Sequence, residues 1–355
     1  MLVIFGITLL IYAANVKWVF MGHERMSRVA FGLVINQIIF SILVFVWVRG
    51  PDQAVWVPLL WLVGDLVMAL YFWGLYARTY NGLHFHFTLQ GALQVLRPAL
   101  VIGSAQAMGL MAYNFDAVLL GFLLGPDPVG YYRAAYKPIT AALAMPLTYF
   151  LGLFPALSRT FTRDRVEFDA IVQRSLRLTA IIAFPLGIGG TFFAAQIIGL
   201  LYGSAYSPAV PAMQLLAWSA ALIILRDTFR QALIASGNQK LDLRSAVIAV
   251  ATNVVLNFIL IPSYSLVGAA IATVVSEVVW LSVSLLLFSR NVSKVNPFSY
   301  LAQPLIASLL MMVFYFLTGA LFWPIQAVLG VIFYFMVLYL LGERELRGLL
   351  EIRRV

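Results

Sequence analysis

Nine ionisable side chains stand inside otherwise apolar stretches of this 355-residue sequence: Lys17, Asp65, Asp116, Arg133, Lys137, Arg226, Asp227, Arg230 and Glu277. A charge facing hydrocarbon costs about 2.5–3.5 kcal/mol on insertion scales, so nine would cost roughly 20–30 kcal/mol, more than a typical domain's whole stability. They must face one another or water. Arg133 and Lys137 are four apart with Thr140 continuing their face, and Arg226 and Arg230 are four apart with Asp227 beside them. Thr273, Glu277, Trp280 and Ser284 share one helical face, Gln106, Gly109, Tyr113 and Asp116 cover a narrow arc, and Asn253 and Asn257 stack one turn apart. Polar stripes on apolar bodies describe helices that ring an aqueous cavity.

Arg133, Lys137, Arg226 and Arg230 are the candidates for binding an anionic head group, since guanidinium and ammonium groups make strong charge-assisted hydrogen bonds to phosphate and carboxylate. Asp65, Asp116 and Glu277 are the candidates for proton or cation coupling. Asp116 is the natural partner of Arg133 and Lys137 across a short hairpin, one acid that cannot neutralise both bases, and Asp227 can pair with Arg230 on its own helix. Glu277 has no partner on its helix, which makes it the better coupling candidate. The sequence has no Walker loop, HExxH or GxSxG, so neither ATP-driven nor hydrolytic chemistry is expected, and no cofactor is implied. His84 and His86 form an HxH without a third ligand nearby, and with no cysteine present no metal site is expected.

Those side chains require long apolar helices to position them. The sequence is 63% hydrophobic and 10% charged, outside the range of soluble domains, and its apolar stretches lack the alternation of barrel strands. The fold class is an all-α integral membrane protein of about eleven spans, near 1–20, 27–49, 54–77, 97–124, 129–157, 176–202, 208–235, 241–262, 266–289, 299–321 and 324–342. Turn residues punctuate them, as in GPD at 50–52, GPDP at 125–128 and IPSYS at 261–265. Alternate loops hold Arg25 and Arg28; Arg78; Arg159, Arg163, Arg165 and Arg174; Lys240 and Arg244; Arg290 and Lys294, whereas the opposite loops hold only Arg49. The positive-inside rule then puts the C-terminus in the cytoplasm and assigns the net charge of +9 to orientation, not to nucleic acid. Tyr131, Tyr132, Tyr202, Tyr206 and Trp323 fall where an outer aromatic belt is expected. Two segments are not spans: 78–96, a surface linker between groups of helices, and 158–175, a charged cytoplasmic connection read as a solvated loop, with a short amphipathic helix as the alternative.

The run YNFDAVLLGFLLGPDPVGYYRAAYKP at 113–138 resembles the start of the second lobe of the Wzx-type polysaccharide and O-antigen flippases, in the multidrug/oligosaccharidyl-lipid/polysaccharide exporter superfamily. WVFMGHERM (18–26), FPALSR (154–159), LLYGSAYSPAVPAMQLLA (200–217), ASGNQK (235–240) and NVVLNFILIPSYSLVGAAIATVVSE (253–277) continue the similarity in order. The resemblance implies a two-lobed pseudo-symmetric bundle. It divides the chain into 1–80, the remaining three helices of a first lobe; 81–290, a six-helix second lobe; and 291–355, two added helices and a cytoplasmic tail. Three leading helices of the family pattern have no counterpart, so the expectation is a truncated or mis-started flippase.

What the resemblance implies about function is alternating-access transfer of an undecaprenyl-pyrophosphate-linked oligosaccharide to the outer leaflet of a bacterial inner membrane, for cell-surface polysaccharide. The implied partners are that lipid-linked oligosaccharide, membrane lipid, and a polysaccharide polymerase with its chain-length machinery. The alternative is a cation- or proton-coupled drug or small-molecule exporter of the same superfamily. The basic pair Arg133 and Lys137 favours anionic cargo.

Overall fold

The computed structural model describes residues 2–23, 25–80, 88–296 and 298–342, and among these there is no strand. The helices are α1 Leu2–Ala14, α2 Lys17–Gly22, α3 Met26–Trp47, α4 Val57–Thr79, α5 Leu89–Leu124, α6 Pro126–Arg163, α7 Arg165–Phe192, α8 Ala194–Tyr202, α9 Val210–Ala235, α10 Gln239–Asn291, α11 Phe298–Leu317 and α12 Trp323–Leu340. Eight helices among the described residues are long and apolar enough to cross a membrane, with α10 counted once. Most of their apolar surface faces outward, as in Phe45, Phe122 and Leu317, each more than four-fifths exposed. Large apolar side chains stay on the outside only where the solvent is hydrocarbon. The protein is an integral membrane protein.

The chain forms two compact units, Met1–Ala92 and Leu93–Val355. In the first, α4 packs against α1 and α3. Gly32 of α3 lies so close to Phe72 of α4 that a Cβ would come within 2.6 Å of the ring, so the missing side chain sets the helix separation. The expected span at 1–20 is two helices. The Lys17 amide donates to Asn15 Oδ1 at 2.8 Å, starting a new helix where the first one ends, so Lys17 stands at a break and not inside a span.

In the second unit α9 is the central helix, packed by α6, α7 and α10. Its buried face alternates small and large residues, Ala217, Ala220 and Ala221 with Leu216, Ile224 and Phe229. Small residues let neighbouring backbones close in where burial from water supplies no drive between helices. Two segments differ from expectation. The charged stretch 158–175 is helical except at Asp164, which caps α7 by accepting from the amides of Val166 (2.9 Å) and Glu167 (3.1 Å). The expected span 176–202 breaks at Phe193 into α7 and α8. α6 runs for 38 residues, about 57 Å at 1.5 Å per residue and well over a bilayer core of ~30 Å. It carries Pro138, Pro146 and Pro155 inside, each removing an amide donor.

α10 is interrupted at Ser265, whose φ of 52° and ψ of −133° are not helical. Its two arms, 239–264 and 266–291, lie antiparallel. Ser245 faces Ser284 and Asn253 faces Ser276, while Gly268 abuts the Leu260 carbonyl. Ser265 has the backbone of the first central residue of a type II′ turn, a place suited to glycine. Ser265→Gly is therefore expected to raise stability by about 1 kcal/mol by relieving that strain. Gly268→Val is expected to lower it by more, because a side chain would drive the arms apart. Thermal unfolding in detergent measures both, and a Ser265→Gly protein that melts earlier than the parent contradicts the turn geometry.

Candidate functional site: two buried polar clusters and an exposed cation pair

The first cluster centres on Asp116, near the end of α5 and 1% exposed. Tyr132 of α6 and Thr273 of the second α10 arm each donate a hydroxyl hydrogen bond to its Oδ2 at 2.7 Å, and Asn257 of the first arm donates to its Oδ1. Asn257 also donates to Asn253 Oδ1 at 3.0 Å, and Asn253 reaches Ser276 at 3.4 Å. The expected pairing of Asp116 with Arg133 and Lys137 is corrected here: its hydrogen-bond partners are neutral. Helical rotation is the reason. On α6 the positions 132, 136 and 139 turn inward, which leaves 133 and 137 on the outer face. Tyr132, expected in an interfacial aromatic belt, is 1% exposed and belongs to this cluster.

Arg133 and Lys137 are exposed, one turn apart, and Arg133 Nη2 donates to Asn114 Oδ1 of α5 at 3.0 Å. Their position within α6, before Pro138, places two cations on an open face several residues in from the helix end.

Arg226 and Arg230 are held differently. Arg226 Nη1 donates to Glu277 Oε2 at 2.7 Å, its Nε and Nη2 reach Asp227 Oδ1 at 3.3 and 3.0 Å, and its guanidinium carbon lies 3.8 Å from the Trp280 ring centroid. Arg230 Nε lies 3.6 Å from Asp242 Oδ2. The expected Asp227–Arg230 pair is thus replaced by two pairs that join α9 to both arms of α10. Adjacent side chains on a helix diverge by about 100°, yet the long Arg226 folds back over Asp227 because both groups are buried and a buried charge is costly without a partner. Trp280 donates to Ser245 Oγ at 3.2 Å, which closes the network across the arms.

Asp65 in the first unit is buried on α4 and accepts from Asn36 of α3 at 2.9 Å. His84 and His86 lie outside the described residues, and among the described residues no group of three or more His, Cys, Asp or Glu side chains could hold a metal ion. The Asp116 cluster offers only oxygen ligands, one carboxylate with amides and hydroxyls, and Asn257 Oδ1 is buried without a hydrogen-bond partner. Such a set suits a proton or a hard cation, not a transition metal.

The family described as "Polysaccharide biosynthesis protein" matches residues 1–161. The chain is 30% identical over 173 residues to "Probable flippase AglR" of Haloferax volcanii, covering 47% of this chain and 36% of that protein. It is 27% identical to "Succinoglycan biosynthesis transport protein ExoT" of Rhizobium meliloti, over 67% of this chain and 49% of that one. Over these lengths the chain is similar to polysaccharide biosynthesis and transport proteins. Its fold is that of the lipid II flippase MurJ in an inward closed conformation, with a TM-score of 0.70 over 89% of this chain and 67% of that one, at 16% identity. The chain spans between about a third and a half of the length of these two curated proteins. One of these relatives is named a probable flippase and the other a transport protein. The sequence expectation missed Tyr132 and Asp242 as members of buried clusters. Their only signal was a helical position shared with other inward residues.

Proposed function

We propose that the protein is a flippase that carries a lipid-linked oligosaccharide, with an undecaprenyl-pyrophosphate anchor, from the cytoplasmic to the outer leaflet by alternating access. The observation that carries this reading is the exposed pair Arg133 and Lys137, two cations kept on an open face of a membrane helix in a relative of polysaccharide flippases. Charges so placed are costly unless they meet water or an anionic partner. A pyrophosphate or acidic sugar can accept charge-assisted hydrogen bonds from both side chains. Arg226 and Arg230, held in ion pairs, would reach such cargo only by exchanging carboxylate for phosphate. Asp116, Glu277 and Asp65 are the groups through which a proton or cation would drive the cycle, and each is withdrawn from bulk water.

The division into first-lobe remainder, second lobe and C-terminal pair belongs to the same proposal, as does an inner-membrane site with loops near Arg25, Arg78, Arg163, Lys240 and Arg290 in the cytoplasm. The chain lacks cysteine, so single cysteines report orientation without background. The functional test is reconstitution into vesicles with a fluorescent undecaprenyl-pyrophosphate oligosaccharide in the inner leaflet. Appearance of the sugar at the outer surface, measured by capture with an external lectin, is expected to exceed that of empty vesicles many-fold. Equal rates with and without protein would overturn the reading.

A further inference from the structure

The charged network between α9 and α10 is unbalanced among the described residues. The charges that act on Glu277 are those of Arg226 and Asp227; those that act on Arg226 are Glu277, Asp227 and Asp242; those that act on Asp242 are Arg230, Arg226 and Asp227. Five groups therefore face one another, two guanidinium groups and three carboxylates. Fully ionised they leave one negative charge inside a membrane protein, where an uncompensated charge is costly.

The three acids are not equally supported. Asp227 accepts two hydrogen bonds from Arg226, and Glu277 accepts one at 2.7 Å. Asp242 is 2% exposed, stands 3.6 Å from Arg230, and its Oδ1 is buried with no hydrogen-bond partner. An ionised oxygen left without a donor is the most expensive member of such a network, and neutralising it balances the charges. Asp242 also stands in the first turn of α10, where the helix N-terminus favours the anion. Both protonation states are thus within reach, which makes the proton exchangeable and not permanent.

We propose that Asp242 is a proton-binding site. The carboxylate takes one proton from water to become the neutral acid, and it gives the same proton back. Ionised, Asp242 holds Arg230 and ties the first arm of α10 to α9. Protonated, it frees Arg230, while the Arg226–Glu277 pair still holds the second arm. The proton therefore sets whether α9 grips one arm of the hairpin or both.

Infrared spectroscopy of the purified protein at neutral pH tests this without any cargo, so its outcome is independent of the flippase reading. The expected result is a carbonyl band of protonated carboxyl, shifted in heavy water, that loses intensity, up to one carboxyl per chain, in Asp242→Asn and keeps that Asp242 share in Glu277→Gln. Arg230→Gln is expected to strengthen the band, since removing the cation favours the neutral acid, and it supplies a second arm should Asp242→Asn fail to fold. No such band in the wild-type protein, an unchanged band in Asp242→Asn, or a weaker band in Arg230→Gln would each overturn the assignment.

Discussion

Arg226→Gln is expected to cost about 3–5 kcal/mol of folding stability, the scale for removing one partner of a buried ion pair. The guanidinium is 7% exposed and touches three groups at once: Asp227, Glu277 and the face of Trp280. Glutamine can bond one of the two carboxylates and neutralise neither. Both acids would then be buried without a cation in contact, and the indole would lose a stacking partner that contributes about 1–2 kcal/mol when desolvated. Adding Glu277→Gln to Arg226→Gln is expected to restore a large part of the loss, because the orphaned acid is removed with its base. Melting temperatures of the two single variants and the double variant in detergent give the coupling directly. Additive losses would mean that the two side chains do not meet.

The second large effect is on transport and not on stability. Replacing Arg133 and Lys137 together by glutamine is expected to leave the protein inserted and folded, since exposed positions of this kind usually change stability by within about 0.5 kcal/mol. Each lost charge-assisted hydrogen bond to a phosphate costs about 1.5–3 kcal/mol, so the pair should lower flipping of a pyrophosphate-linked sugar roughly 10²–10⁴-fold. A neutral lipid-linked sugar should feel the change far less. The vesicle assay run with both cargoes separates the two cases. Unaltered flipping of the pyrophosphate cargo in the double variant would return Arg133 and Lys137 to a structural role.

The apolar helices could be read from the sequence because hydrocarbon imposes a length and a composition on any segment that crosses it. The same rule marked the buried charges as unusual, and Asp116, Glu277 and Arg226 all prove to sit in polar clusters. Their partners were less legible, for a geometric reason. Thr273, Glu277, Trp280 and Ser284 share one face of the second α10 arm, yet they serve different neighbours: Asp116, Arg226, Arg226 and Ser245. Which neighbour each meets depends on the register of the hairpin at Ser265, and no local pattern encodes that register. Asp242 was lost among the loop charges because it lies one turn inside α10, where a helix start and a surface loop look alike in composition. The helical course of 158–175 stood only as the alternative to a loop, since charged residues on a helix beyond the bilayer face water as a loop does.

The Asp116 cluster also has a consequence in time. Asp116 and Tyr132 are made early, but Asn257 follows Asp116 by 141 residues and Thr273 follows it by 157. At about 5–20 residues per second, synthesis would take roughly 7–30 s to deliver the first of these partners. For that interval the α5 carboxylate has one of its three donors at most, and the helix that bears it must wait beside the insertion machinery or in lipid. A nascent chain halted anywhere between residues 133 and 256 would present an unfinished polar knot, and surveillance proteases could use it to tell incomplete molecules from finished ones.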